Sequence, residues 1–464
     1  MSGWRRTVIG AVTRFVRPCA HREDRFIRAI EFASAEEKRR AVDQRLAGLL
    51  RHAAEKCPYY ARVLHEAGVV DSGKVRLDRF ENIPFLTKDI LRREGEGLHA
   101  SDHERRHSYV NMSSGSTGEP VTFLQDREYW WRRTATRFLF NRWAGKQPGD
   151  RELMLWGSQR DILEGSQSLG SRLQGFLFNL RRLNAFRMSE ADMARYVDEW
   201  NRFRPALVWA YVDSIRALGR YVQRSGKSVA PPRAILSTAG PLTEEIRKFV
   251  EGVFGCPVYN QYGAREVGAI GSECPAQEGL HVFENAVRVE VVRPEGAVAA
   301  PGEHGEIVVT SLINRSMPMI RYKIGDTAVA ASDSCSCGRS FQLLEAVTGR
   351  LTDHFRSADG ALVHGGYFRQ MFFGRSWVEK FQVRQKALDR IDAYVVNVAD
   401  PPPGEVAEME AMTRAVMGEG CELNLSLVED IPPSPSGKFL HTICELPDRP
   451  DGAGGDASPE NERK

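Results

Sequence analysis

Short, mostly apolar runs recur through the middle of the chain, and each is followed by a loop or a helical pattern. The runs at 153–156, 206–210 and 234–238 have the length and the apolar character of strands that are buried on both faces. The last run leads into a predicted helix at 243–254. Because strands alternate with helices in this way, the sequence predicts an α/β fold with mainly parallel sheets.

The pattern of apolar positions changes after this region. Short alternating strands are predicted between 281 and 330, and a smaller α+β portion follows Arg350. The last residues are rich in proline, glycine and charge, which predicts disorder. We therefore expect a helical lead-in at 1–45, a large N-terminal domain at 46–349, a short connection at 350–353, a small domain at 354–445 and a disordered tail at 446–464.

The lead-in begins with an amphipathic pattern, in which arginines face away from apolar residues at helical spacing; the apolar residues are Trp4, Val8, Ile9, Val12, Phe15 and Val16. Such a helix can lie on an anionic membrane surface or pack on the body of the protein, and we favour packing. The apolar stretch is short and is broken by Arg14, which is not typical of a signal peptide. We expect a cytoplasmic protein.

Composition is consistent with a globular protein of more than one domain. The chain has 464 residues, of which 42% are hydrophobic and 27% are charged, as in ordinary globular proteins. The net charge of +3 does not indicate a general nucleic-acid-binding surface. The sequence contains no run of about 18 apolar residues, so it predicts no membrane-spanning helix.

The most informative stretch is a loop at 111–122 that is dense in serine, threonine and glycine. Gly115 and Gly118 permit close backbone approach, and four hydroxyl groups follow one another at Ser113, Ser114, Ser116 and Thr117. Together with backbone N–H groups they can surround phosphate oxygens. No lysine follows the second glycine, so this is not the common nucleoside-triphosphate loop. Taken alone, the loop is equally typical of a surface turn.

A second candidate site combines cysteines with a histidine. Cys335 and Cys337 are separated by one residue, and Cys274 precedes His281 by seven residues. Three thiolates and one imidazole suit tetrahedral structural zinc, although this spacing is not that of the common zinc fingers. From spacing alone, isolated reduced cysteines remain an equal alternative. We interpret the other cysteines as reduced core residues: Cys19, Cys57, Cys256, Cys421 and Cys444.

Four further segments follow the loop in order, at 262–266, 321–326, 348–353 and 433–439; they read YGARE, RYKIGD, TGRLTD and PSPSGKF. With SSGSTGEP, this ordered set resembles the adenylate-forming superfamily of acyl- and aryl-CoA ligases. The details are most similar to the phenylacetate-CoA ligase family, including its CapK-like and coenzyme F390 synthetase-like members. The resemblance extends from about residue 45 to about residue 445.

This resemblance implies a large adenylate-forming domain, a small mobile C-terminal domain and the adenylation of a carboxylic acid. Such enzymes use ATP and Mg²⁺ to activate a carboxylic acid as an acyl-adenylate. By resemblance, the loop at 113–118 holds the β- and γ-phosphates, with Thr117 among the catalytic residues, and Glu266 holds Mg²⁺. Lys438 reaches the α-phosphate and the attacking carboxylate, where negative charge develops.

The resemblance also assigns the nucleotide-binding residues and favours the metal. The expected contacts are Tyr262 and Gly263 beside the adenine, Ala239 and Gly240 at the base edge, Asp326 at the ribose hydroxyls and Arg350 at the ribose or phosphate. Similar ligases often carry a structural zinc site at positions that match Cys274, His281, Cys335 and Cys337. The acid is expected near Trp156, Tyr211 and Tyr262, whose aromatic rings suggest an aryl or related acid.

Two departures from the family pattern leave the acceptor open. Thr352 stands where many CoA ligases have an acidic or lysine hinge residue, and Asp353 follows it. An Asp-Gly hairpin within 356–368 replaces the glycine-rich stretch expected to bind CoA, as in CapK-like members. The acyl group is therefore expected to pass to CoA or, alternatively, to an amine or hydroxyl. A non-catalytic binding protein is disfavoured, because the whole set of motifs is intact.

Overall fold

In the computed structural model the chain forms two compact units, the first built on residues up to Leu351 and the second on residues from Thr352 onward. We describe each unit by itself. The residues that the structure describes are 3–112, 121–156, 175–185, 188, 190–331, 335–350, 354–358, 362–372, 375–432 and 440–446.

The first unit begins with helices. Helix α3 starts where Ser34 and Glu37 form a capping box, in which each side chain bonds the backbone N–H of the other residue. The helices of this unit are α1 (Gly3–Ala11), α2 (Pro18–Ile30), α3 (Ala35–Lys56), α4 (Pro58–Glu66), α5 (Lys88–Glu94), α6 (Arg127–Trp143), α7 (Glu190–Phe203), α8 (Val212–Ser225) and α9 (Glu244–Phe254). Val12–Val16 continues α1 as a π-helical stretch.

The strands of the first unit include two small hairpins and one large sheet. The hairpins pair β1 (Val70–Asp71) with β2 (Lys74–Val75), and β3 (Tyr109–Met112) with β4 (Thr122–Gln125). The sheet strands are β5 (Glu152–Trp156), β6 (Leu180–Asn184), β7 (Leu207–Tyr211), β8 (Ala234–Thr238), β9 (Val258–Ala264), β10 (Gly268–Glu273), β11 (Leu280–Val282), β12 (Val287–Val292), β13 (His304–Ser311), β14 (Tyr322–Ala330) and β15 (Leu343–Arg350).

Among the described residues, these eleven strands form one sheet in the order β12-β13-β14-β15-β11-β10-β9-β8-β7-β5-β6. The five strands from β6 to β9 pair in parallel. From β9 to β12 every pairing is antiparallel. The predicted α/β class is confirmed, and the parallel part lies where the apolar runs alternate with helices.

Helices cover both faces of the parallel strands, which explains why these strands are apolar throughout. On β5, Leu153 and Leu155 pack in the core that contains Trp200 of α7. Met154, between them, faces the opposite core with Leu139 of α6. Successive strand residues therefore point into two different cores, as the pleat requires.

Helix α1 packs on this unit through one face. Ile9 is buried, and Nε of Arg5 donates to the backbone carbonyl of Phe176 at 3.3 Å. Packing on the body of the protein, the interpretation we favoured, therefore holds for this face of the helix. Among the described helices, none is long and apolar enough to cross a membrane.

The second unit is a small α+β structure. Its four-stranded sheet has the order β20-β19-β18-β21, beside a hairpin of β16 and β17. Phe355, Phe368, Trp377 and Phe381 are among the residues of its core. The elements are β16 (His354–Arg356), β17 (Leu362–His364), α10 (Gly365–Phe372), β18 (Val378–Ala387), β19 (Arg390–Asn397), α11 (Glu405–Met417), β20 (Glu422–Leu427) and β21 (Thr442–Cys444).

A buried ion pair holds the start of β14. The guanidinium of Arg321 binds both carboxylate oxygens of Glu290, at 2.9 and 3.3 Å, and donates to the carbonyl of Ile83 at 2.7 Å. The two charged side chains are only 3% and 5% exposed. Because two hydrogen bonds join these side chains in a site shielded from solvent, removal of either one would leave the other charge buried and uncompensated.

We predict that Arg321→Ala lowers the free energy of unfolding by about 3–5 kcal/mol, because it leaves Glu290 buried and unpaired. Arg288→Ala is the matched control, since Arg288 is 36% exposed and lies 3.8 Å from Asp43. The control should cost less than about 1 kcal/mol. Urea unfolding of both variants measures the difference, and equal costs would contradict this role of the pair.

Candidate active site

Aromatic side chains line the carboxyl edge of the parallel strands, the edge at which open α/β sheets bind ligands. Trp156 ends β5 and Tyr211 ends β7, and the two rings lie 4.5 Å apart between centroids. Trp209 is close to the same indole, at 6.2 Å. Two of the three side chains that we expected beside the acid are therefore in contact with each other.

The next strand, β8, leads into a sharp backbone turn at Ala239 and Gly240. Ala239 has a φ of 62°, in the left-handed region that L residues rarely occupy. A Cβ on Gly240 would lie 3.3 Å from Cβ of Val212, at the start of α8. The turn is therefore strained and closely packed, as is common where the backbone lines a functional site.

Tyr262 and Asp326 join two distant strands of the sheet. The phenolic hydroxyl of Tyr262 donates to Oδ2 of Asp326 at 2.7 Å, and Asp326 is only 8% exposed. Four strand-to-strand steps separate β9 from β14, which in a flat sheet would be a distance of about 19 Å. The antiparallel part of the sheet must therefore curl until β14 comes close to β9.

The residues around this contact include two more of the predicted set. The backbone of Arg350 lies directly opposite Asp326 in the β14–β15 register. Gly263 follows Tyr262, and a Cβ there would lie 2.6 Å from the carbonyl oxygen of Gly268. Only glycine fits at that point of the β9–β10 hairpin.

Glu266 lies in the turn between β9 and β10 and is 7% exposed. Nε2 of Gln125 donates to the carbonyl of Arg265 at 2.9 Å and to that of Glu266 at 3.3 Å. Gln125 ends β4, and its Oε1 accepts from Nδ2 of Asn111 at 3.1 Å. This buried amide thus joins the turn that carries Glu266 to the hairpin whose strands flank the loop at 113–120.

Several predicted residues lie outside the part of the chain that the structure describes. They are the loop residues Ser113, Ser114, Gly115, Ser116, Thr117 and Gly118, the hinge residues Thr352 and Asp353, and Lys438. Of the described residues, Tyr262, Gly263 and Asp326 come together around one hydrogen bond, and Glu266 lies beside the strands that enter and leave the loop.

The cysteines and the histidine also come together. The four ligand atoms of Cys274, His281, Cys335 and Cys337 all lie within 4.8 Å of one another. Sγ of Cys274 is 3.8 Å from Sγ of Cys335, and Sγ of Cys337 is 3.3 Å from Nε2 of His281. A zinc tetrahedron with bonds of about 2.3 Å to sulfur has edges of about 3.8 Å. These three cysteines and His281 are therefore not isolated from one another, and their spacing is compatible with a metal site.

Burial and a neighbouring positive charge keep the imidazole of this cluster in its neutral form. Burial lowers the pKa of His281 to about 4, and the guanidinium of Arg339 acts in the same direction. The ring is therefore neutral at physiological pH, which is the form that ligates metal ions. The cluster connects the β10–β11 hairpin to the segment that precedes β15.

Comparison with known proteins identifies the family. Residues 355–445 match the CapK C-terminal domain. The chain is 30% identical to phenylacetate-coenzyme A ligase of Thermus thermophilus over 329 residues, which is 68% of this chain and 71% of that enzyme. The chain belongs to the phenylacetate-CoA ligase family. The chain is also similar to protein CapK of Staphylococcus aureus, at 22% identity over 87% of this chain and 88% of that protein.

Solved structures share the fold. The 2-hydroxyisobutyryl-CoA ligase in its postadenylation state superposes with a TM-score of 0.71 at 20% identity, over 90% of this chain and 91% of that one. O-succinylbenzoate coenzyme A synthetase of Bacillus subtilis gives a TM-score of 0.51 at 19% identity, over 72% and 68% of the two chains. The resemblance inferred from the motifs is confirmed, and the chain is an AMP-forming ligase of the phenylacetate-CoA ligase family.

Gln125 is the residue of this ligase that sequence reasoning missed. It is not exposed at all, and both ends of its amide are satisfied. Only its position, seven residues after Gly118, relates it to the loop. No local pattern distinguishes such a glutamine from a surface residue at the end of a strand.

We predict that Gln125→Leu raises the KM for ATP and lowers acid-dependent ATP–pyrophosphate exchange about tenfold, because two backbone carbonyls beside Glu266 lose their donor. Gln385→Leu is the matched control, since Gln385 is equally buried and bonds the backbone of Arg356 in the second unit. Both variants should lose about 1–3 kcal/mol of stability. The same KM effect in both would show a general loss of folding instead.

Proposed function

We propose that this member of the phenylacetate-CoA ligase family activates an aryl or related carboxylic acid with ATP and transfers the acyl group to CoA. The hydrogen bond between Tyr262 and Asp326 is the observation that carries the proposal. It joins two motifs that are 64 residues apart in the chain and that by resemblance bind the adenine and the ribose.

The first half-reaction is an in-line displacement at the α-phosphorus of ATP. A carboxylate oxygen forms a bond to phosphorus, and the bond to the bridging oxygen breaks, so that pyrophosphate leaves with the electron pair. The acid and ATP must be held in line, and the charge on the phosphates must be neutralised.

In this proposal the residues of the chain divide these tasks. The hydroxyl and N–H groups of Ser113–Gly118 bind the β- and γ-phosphates, and the ammonium of Lys438 approaches the α-phosphate. Mg²⁺, which suits carboxylate and phosphate oxygens, would neutralise phosphate charge when bound at Glu266. The β3–β4 hairpin, which contains Gln125, and the β9–β10 turn, which contains Glu266, would hold the phosphate-binding groups and the metal-binding carboxylate at fixed positions relative to each other. The aromatic wall of Trp156 and Tyr211 is suited to a flat acid.

In the second half-reaction the thiol of CoA gives up its proton to solvent and its sulfur forms a bond to the acyl carbon. The bond between that carbon and the phosphate oxygen breaks, and AMP leaves with the electron pair. This step is supported by the named activity of the Thermus thermophilus relative. By resemblance, Thr352 and Asp353 form the hinge about which the small domain rotates between the two half-reactions.

A second candidate acceptor is an amine or a hydroxyl. It is favoured by the match of residues 355–445 to the CapK C-terminal domain and by the antiparallel pairing of His354–Arg356 with Leu362–His364 around the Asp-Gly sequence. The two acceptors differ in one measurement. With the correct acid, free CoA stimulates AMP formation in the first case and has no effect in the second.

The first experiment is acid-dependent ATP–pyrophosphate exchange across a panel of carboxylic acids. We predict exchange with an aryl or related acid and a loss on the order of 100-fold or more in Lys438→Ala. Lys248→Ala is the control, because Lys248 is an exposed lysine on α9, and it should retain full exchange. Exchange that is unchanged in Lys438→Ala would refute the role of this lysine.

We further propose that the Cys₃His cluster holds structural zinc. Four protein ligands complete a tetrahedron and leave no open position, so the metal would stabilise the fold and take no part in the reaction.

We predict that the purified protein contains about one zinc ion per chain. Cys335→Ser should lose the metal and lower the melting temperature, because one ligand of four is removed. Cys444→Ser, which changes a half-buried cysteine of the second unit, should alter neither. Elemental analysis and thermal unfolding test this, and equal zinc content in the two variants would contradict the assignment.

A further inference from the structure

The N-terminal helix presents an apolar stripe to solvent. Trp4, Val8, Ala11 and Phe15 follow one another at intervals of four, three and four residues, which brings them onto one helical face. Trp4 is 49% exposed, Val8 38% and Phe15 76%, and Ala11 is also exposed. We refer to these four residues as the N-terminal stripe.

The other face of the same helix is already used for packing. Ile9 is only 2% exposed, and a Cβ on Gly149 would come within 2.8 Å of Cβ of Arg5. The guanidinium of Arg5 lies 5.0 Å from the ring centroid of Phe176. The helix is therefore held against the first unit through this face. Trp4 of the stripe also contacts that unit, at the ring of Phe176, but it stays 49% exposed, so internal packing does not account for the exposed apolar surface of the stripe.

The stripe is part of a larger patch. Twelve large hydrophobic side chains are exposed among the described residues, and five of them gather here: Trp4, Val8, Phe15, Val16 and Phe176. The rings of Trp4 and Phe176 are 6.1 Å apart. Single exposed apolar residues are ordinary, but a cluster of this kind marks a surface that binds something.

The charges around the patch indicate what it binds. The sequence has arginines at 5, 6, 14, 17 and 22, and no acidic residue occurs before Glu23. Arg6 and Arg14 are exposed and form no ion pair within the described part of the chain. The guanidinium of Arg14 lies 5.5 Å from the ring centroid of Phe15, and that of Arg5 lies 4.6 Å from a ring centroid of Trp4. Positive charge beside exposed tryptophan and phenylalanine complements an anionic lipid surface, where arginines bind headgroups and aromatic rings lie at the interface.

We propose that the N-terminal stripe and its arginines bind the surface of an anionic lipid bilayer, with the helix lying in the plane of the membrane. Apolar insertion and electrostatic attraction then act together, which is what stable peripheral binding requires. The proposal is independent of which acid or acceptor the enzyme uses.

The test is flotation of the full-length protein with vesicles of phosphatidylcholine alone and of phosphatidylcholine mixed with phosphatidylglycerol. We expect binding to the anionic vesicles, and its loss in about 0.5 M salt. Arg6→Ala/Arg14→Ala should weaken binding about 25-fold, or about fivefold for each charge. Trp4→Ser/Phe15→Ser should weaken it by at least as much in the same vesicles.

Leu388→Ser/Val398→Ser is the matched control, because these residues are 44% and 62% exposed in the second unit. It should bind vesicles as the wild type does, and all three variants should keep their circular dichroism and melting temperature. Equal flotation of wild type and stripe variants would overturn the proposal. A second result would also overturn it: the wild type does not bind vesicles, and the stripe variants differ from the wild type in molar mass by light scattering. The stripe would then join two copies of the chain.

Discussion

The contact between Tyr262 and Asp326 depends on a constraint that shapes the whole first unit: the antiparallel half of the sheet has to curl. Its strands pair edge to edge from β9 to β14, yet the first and last of them meet in a hydrogen bond of 2.7 Å. Glycine at 263 permits the tight hairpin next to this contact. A flatter sheet would leave the motif at 262–266 and the motif at 321–326 on separate surfaces.

Buried polar groups maintain this arrangement. Gln125 joins the hairpin that flanks the serine- and glycine-rich sequence at 113–120 to the turn that carries Glu266, and Arg321 with Glu290 holds the beginning of β14. Neither group belongs to the expected reacting residues. Each replaces lost water contacts with several protein hydrogen bonds, so its geometry is well defined, and removal of one partner would leave others unpaired in a dry interior.

Two further features stand apart from the five ordered motifs. The cysteine–histidine cluster connects the β10–β11 hairpin to the segment before β15. Strands β11 and β15 are neighbours in the curled half of the sheet. The N-terminal stripe lies on a helix whose opposite face packs on the first unit. The first feature would stabilise the sheet that carries the motifs, and the second would determine where in the cell that sheet is located.

The sequence by itself determined the fold class and the family, and it proposed the residues of the candidate site. Apolar runs that alternate with helical patterns are local, and the five ordered motifs are specific as a set. Only the tertiary structure decided that three cysteines and His281 converge, that Gln125 supports the Glu266 turn, and which face of the N-terminal helix meets solvent. These outcomes depend on strand order and on contacts between residues far apart in the chain, and local periodicity carries no information about such partners.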